Sequence, residues 1–84
     1  MRAKHRKTLK ALFATPTRAN LAFADIEALI VAQGGEVRFG EGSRVAFELK
    51  GRRMFLHRPH PGRDAKRYQV EEVRAFLQSV EVTP

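Results

Sequence analysis

The chain has 84 residues, enough for one domain with a single thin core, and its 43% hydrophobic content argues against a disordered segment. The absence of cysteine excludes disulfides and thiolate zinc sites, and no segment approaches the roughly 18 apolar residues of a membrane-spanning helix. Sixteen Lys and Arg against nine Asp and Glu leave a net charge of +7, a field that attracts polyanions, nucleic acid first and an acidic protein second.

The opening "MRAKHRKTLK" has the basic head of a signal peptide but not the uninterrupted apolar stretch that must follow, so a cytoplasmic protein is expected. Leu9, Leu12 and Phe13 have helical spacing among Lys4, Arg6, Lys7 and Lys10, which predicts a short basic amphipathic helix over about residues 3–14. His5 reads as a solvated residue of that helix. The turn "TPTRAN" ends it. In "FADIEALIVAQGG", Ile26, Leu29 and Ile30 share one face, Asp25 and Glu27 suit the positive end of the helix dipole, and Gly34-Gly35 supply the stop.

"EVRF" and "RVAFELK" alternate polar and apolar, the pattern of half-buried strands. Val37 and Phe39 are expected to face the core from the first strand, and Val45, Phe47 and Leu49 from the second. "GEGS" joins them. Gly51-Arg52 suits a two-residue turn with glycine first, leading into a third strand, "RMFLHR". After the loop "PHPGRDAKR", whose prolines are expected to hold it out from the helix behind, a last helix runs from about Tyr68 to Val80. Val70, Val73, Phe76, Leu77 and Val80 form its apolar stripe. The expected fold is α+β, in the order α-α-β-β-β-α: a three-stranded antiparallel sheet with helices on one face and the other face open. Residues 1–84 form a single domain, with 1–20 a basic helical extension and 21–80 the core.

A turn at Gly51-Arg52 sets Lys50 opposite Arg53, Glu48 opposite Phe55 and Ala46 opposite His57. Arg44 and Glu48 then become diagonal neighbours of His57 on the open face, roughly 7–8 Å away between backbones. Glu48 at that place favours the charged imidazole. A histidine, an arginine and a glutamate together can act on RNA. Cleavage by the 2′-hydroxyl needs a base for that hydroxyl, an acid for the leaving 5′-oxygen and positive charge for the phosphate. Histidine serves as base or acid near neutral pH, and arginine's fork matches two phosphate oxygens. An exposed strand histidine beside an ordinary surface ion pair fits the same spacing.

His57-Arg58-Pro59-His60 is a poor metal site. His-x-x-His presents both rings to one ion only on a helix, and Pro59 and Pro61 prevent one here; no third ligand is obvious beyond Asp64. No metal or cofactor is expected. "GGEVRFGEGS" lacks the lysine spacing and strand-to-helix context of a phosphate loop.

Gly42-Ser43-Arg44 opening a strand, a short hairpin, then "FLHRPHP" and a terminal helix resembles the HicA family of toxins from bacterial toxin–antitoxin pairs, over about residues 22–80. The resemblance implies a fold like the double-stranded-RNA-binding domain and a metal-independent endoribonuclease that cleaves mRNA and arrests translation. It also implies a HicB-type antitoxin as neutralising partner in a hetero-oligomer. Most HicA proteins read Gly-Ser-His, with that histidine assigned to catalysis; this chain has Arg44 and is similar to a branch reading Gly-Ser-Arg and His-Arg-Pro-His-Pro. Arginine is no proton acceptor at ordinary pH. The resemblance therefore implies that proton transfer passes to His57 and His60, with Arg44 holding the phosphate. Gly42 is then expected to let the backbone approach closely, and Ser43, Arg53, Arg58, Arg63 and Lys66 are expected to contact RNA. A non-catalytic nucleic-acid-binding module on the same fold, or a basic face that docks an acidic protein, are the alternatives.

Overall fold

Helical spacing and alternation place six elements, and the computed structural model, which describes residues 1–84, contains all six. They are α1 (Ala3–Leu12), α2 (Phe23–Ala32), β1 (Glu36–Phe39), β2 (Arg44–Leu49), β3 (Arg52–His57) and α3 (Arg67–Ser79). The strands form one antiparallel sheet in the order β1-β2-β3. Along β2 the alternation is realised as buried Val45, Phe47 and Leu49 between exposed or half-buried Arg44, Ala46 and Glu48. The buried side packs on the apolar stripes of the helices: Leu9 and Leu12 of α1, Ile26, Leu29 and Ile30 of α2, and Val70, Val73 and Leu77 of α3 join it in one cluster. The Phe23 and Phe47 rings meet with centroids 6.0 Å apart, pinning the start of α2 to the central strand.

The N-terminal helix is part of this core. Leu9, Ala11 and Leu12 are buried, and Arg74 of α3 clamps the helix end. Its Nε donates to the Leu12 carbonyl at 2.7 Å, and its terminal nitrogen donates to the Ala14 carbonyl and to Thr17 Oγ1. A cation on the last carbonyls of a helix satisfies orphan acceptors and opposes the negative end of the dipole. His5 is not the solvated residue its basic neighbours suggest. It is half-buried, and its Nδ1 lies inside without a hydrogen-bond partner. Positions 5, 8, 9 and 12 fall on one helical stripe, so His5 shares the packing face with Thr8, Leu9 and Leu12. At the end of α2, Gly34 N–H donates to the Val31 carbonyl and Gly35 N–H to the Ile30 carbonyl, both at 2.9 Å. That is the paired closure expected of a glycine stop.

The β2–β3 hairpin differs from the sequence expectation. The turn is Lys50-Gly51, with φ of 50° and 77°, and Leu49 pairs with Arg52. Two successive positive φ angles make the mirror-image turn whose twist matches the strands, with glycine second. The pairing moves by two residues: Arg44 faces His57, Ala46 faces Phe55 and Glu48 faces Arg53. A two-residue slip leaves every side chain on its original face, so apolar alternation cannot choose between these registers. Charge can. The expected register sets Lys50 against Arg53, whereas the observed one sets Glu48 against Arg53. Lys50 at positive φ reaches away from the turn and donates from Nζ to the Val80 carbonyl at the end of α3, at 3.1 Å.

Two further expectations change. Phe39 lies on the helix side of the edge strand but beyond the helices, and 66% of its surface is exposed; Val37 is half-buried. The loop after β3 is not held out along its whole length. Phe23 N–H donates to the Arg63 carbonyl and Ala65 N–H to the Leu21 carbonyl, and Ala22 bridges Asp64 in antiparallel fashion. Ala65 is consequently buried.

Candidate nucleic-acid interface

The open sheet face is built by alternation, and its contents follow from register. Arg44 and His57 are directly opposite, so both side chains rise on the exposed side. The Arg58 N–H donates to the Ser43 carbonyl at 2.7 Å just beyond them. Counting rungs from that bond makes Arg44 and His57 a pair without mutual backbone hydrogen bonds, the closer kind, with Cα atoms about 4.5 Å apart. The turn that delivers Arg44 needs Gly42, whose φ of +62° lies in the left-handed region that L side chains avoid.

Ser43 Oγ lies 3.3 Å from His57 Nδ1. This contact suits both roles of an imidazole. When Nδ1 carries a proton it donates to the serine oxygen; when it does not, the hydroxyl donates to it. In either case Nε2 is left for a ligand. The backbone of His57 is fixed from behind. Gln69, buried in the first turn of α3, donates from Nε2 to the His57 carbonyl at 2.6 Å and accepts the Lys66 N–H on Oε1 at 3.0 Å. One buried amide thus caps α3 and holds the end of β3. Sequence reading missed Gln69. Its signal was a glutamine at the third position of a helix, half of a capping box without the usual Ser, Thr, Asp or Asn before it.

Charge pairing sorts the arginines. Arg53 pairs with Glu48, which also takes Arg38 Nε at 3.3 Å, and Arg38 bonds Glu36 at 2.8 Å. Arg58 turns to the helix side, donating to Glu27 at 2.6 Å with its guanidinium 4.8 Å from the Phe39 ring centroid. Arg44 takes part in no ion pair and no side-chain hydrogen bond; its guanidinium lies 5.9 Å from the Phe55 ring centroid. It is the open-face arginine with its charge left for an anion.

Of the residues expected in the site, the structure gathers Gly42, Ser43, Arg44 and His57. Arg53 shares the face but is engaged by Glu48. Arg58 and Arg63 line a cleft with Glu27 and Asp64 beside the start of α2. Lys66 precedes α3, exposed. His60 is exposed in the loop and forms no hydrogen bond with Ser43, Arg44 or His57. Glu48, expected as a diagonal neighbour of His57, lies four residue pairs along the hairpin from the Arg44–His57 pair, opposite Arg53. No three histidine or acidic side chains cluster as a metal site would need. No helix is long and apolar enough to cross a membrane.

A family model described as HicA toxin of bacterial toxin-antitoxin matches residues 23–79, from the first residue of α2 to the last of α3. The match includes Gly42-Ser43-Arg44 and His57 to His60 and leaves α1 outside. No curated protein and no solved structure matches the chain.

Proposed function

The chain belongs to the HicA toxin family of bacterial toxin–antitoxin systems, and from that premise we propose that it is an endoribonuclease cleaving mRNA on its open sheet face and arresting translation. Membership implies an antitoxin partner, and we assign that role to a HicB-type protein that neutralises the toxin within a hetero-oligomer. The observation carrying the nuclease reading is the directly opposed pair of Arg44, free of any acid, and His57, held by Ser43.

In the proposed reaction the RNA 2′-hydroxyl attacks the adjacent phosphorus. The new P–O2′ bond forms as the P–O5′ bond breaks, leaving a 2′,3′-cyclic phosphate and a 5′-hydroxyl. One proton leaves the 2′-oxygen and one arrives at the 5′-oxygen. His57 Nε2 performs one of these transfers and His60, carried over by a loop movement, the other. Arg44 stabilises the negative charge that builds on the phosphorane oxygens. Gly42 admits the strand closely, while Arg53, engaged by Glu48, and Arg58, turned to Glu27 on the helix side, contribute only long-range positive charge, as do Arg63 and Lys66. No step in this scheme uses a metal.

An assay of purified protein on RNA in the presence of a strong chelator tests the reading. Cleavage is expected from the parent and not from His57→Ala, with Arg44→Ala slowed by about 10²–10³ and His60→Ala strongly impaired. A parent that binds RNA yet leaves it intact would support the non-catalytic binding module, a reading favoured by the single histidine now within the gathered set. A cleavage rate unchanged in both histidine variants would overturn the assignment of proton transfer.

A further inference from the structure

Phe55 occupies an unusual place. Alternation sets it on the open face, opposite Ala46, where 57% of its surface is exposed. The small alanine across from it leaves the ring uncovered. Arg44 and Arg53 flank it, their guanidinium carbons 5.9 and 6.0 Å from the ring centroid, near the outer limit of about 6 Å for a cation–π contact. Neither is in stacking contact with the ring. The cavity over this region, about 350 Å³, is lined by Arg38, Gly40, Arg44, Ala46, Arg53 and Phe55 among others.

The proposed chemistry uses Arg44 and His57 but not Phe55. Yet Phe55 and His57 are two residues apart on one strand, about 7 Å, and project to the same side. An exposed aromatic ring beside an unpaired arginine is the combination that binds unpaired nucleotides. The ring stacks on a base while the cation takes the phosphate, and the stacking tolerates any sequence because every base has a π-face. A base already paired and stacked in a duplex cannot occupy the place.

We propose that Phe55 is a base-stacking platform that selects single-stranded RNA, seating one nucleobase while its phosphate lies between Arg44 and His57. The proposal rests on the nuclease reading only in taking the strand to be RNA cut at that phosphate. An acidic protein segment would be drawn to the same charges, but the pairing of a flat apolar ring with one free guanidinium matches a nucleotide's base and phosphate.

The chain has no tryptophan, so Phe55→Trp places a single indole fluorophore on the face. Its fluorescence is expected to be quenched by a short mixed-sequence 2′-deoxy oligonucleotide, which cannot be cleaved through a 2′-hydroxyl. Quenching should be much weaker with the same strand made abasic, and with the strand annealed to its complement. Phe55→Ala should weaken binding of the intact single strand at least about fivefold, with an unchanged melting temperature because the ring is exposed. Equal binding of intact and abasic strands, or of parent and Phe55→Ala, overturns the platform. So does an indole signal that responds to a HicB-type antitoxin and not to the oligonucleotide, which would give the face to protein. Quenching by the oligonucleotide with no cleavage of RNA by the parent leaves the platform standing and removes the nuclease reading; cleavage without quenching does the reverse.

Discussion

The two ends of the open sheet face carry similar residues and differ in what their charges touch. At the hairpin end, Glu36 and Glu48 face each other across β1 and β2, and Arg38 and Arg53 neutralise them. At the other end Arg44 has no acid, and its cross-strand partner is a histidine. A count of arginines would rate the hairpin end the more basic. Pairing reverses that ranking, since a guanidinium already held by a carboxylate must give up that bond before it takes a phosphate. A polyanion site is therefore found by asking which cations are unpaired, not where cations are dense.

The largest expected break in this comparison is Arg44→Ala. It should lower the RNA cleavage rate by about 10²–10³, the scale of losing one donor to a developing oxyanion, while Arg38→Ala changes initial rates little. Equal losses from the two variants would erase the distinction between the ends. Gln69→Leu comes next. It strips the His57 carbonyl and the Lys66 N–H of a buried partner and should cost about 1–3 kcal/mol of stability in denaturant unfolding. Ser43→Ala should slow cleavage about tenfold through loss of the orienting hydroxyl, with Ser43→Thr restoring most of the rate and the melting temperature unchanged in both. The smallest effect sharpens the contrast from the other side. Glu48→Gln releases Arg38 and Arg53 and should tighten RNA binding a few-fold. It should also steepen the salt dependence by about 0.7 log units per log salt for each added phosphate contact. An unchanged salt slope would show that the hairpin end does not reach the strand even when freed.

Much of this arrangement was legible in the sequence. Alternation through Val45, Phe47 and Leu49 settles which side Arg44 takes, and "MFLH" does the same for His57, so their common face follows from patterning. Their direct opposition does not. A period of two cannot separate registers that differ by two, and glycine serves as the first or the second residue of a tight hairpin turn. The like-charge clash of Lys50 with Arg53 was the available clue. His5 was hidden by its basic neighbours although its spacing to Leu9 and Leu12 marks a buried stripe. Gln69 was hidden because a buried amide carries no periodicity. Phe39 shows the limit of alternation itself, which names a side of the sheet but not whether a helix covers it.

The Arg74 clamp makes the first helix inseparable from the rest. One side chain joins the Leu12 and Ala14 carbonyls to α3, and Leu9 and Leu12 lie in the common cluster. The amides at the C-terminal end of α1 therefore have no cheap local opening open to them. In native-state hydrogen exchange those near Leu12 should lose protection only with whole-molecule unfolding, and trimming the chain to the matched residues 23–79 would yield a species with its apolar interior laid bare to solvent.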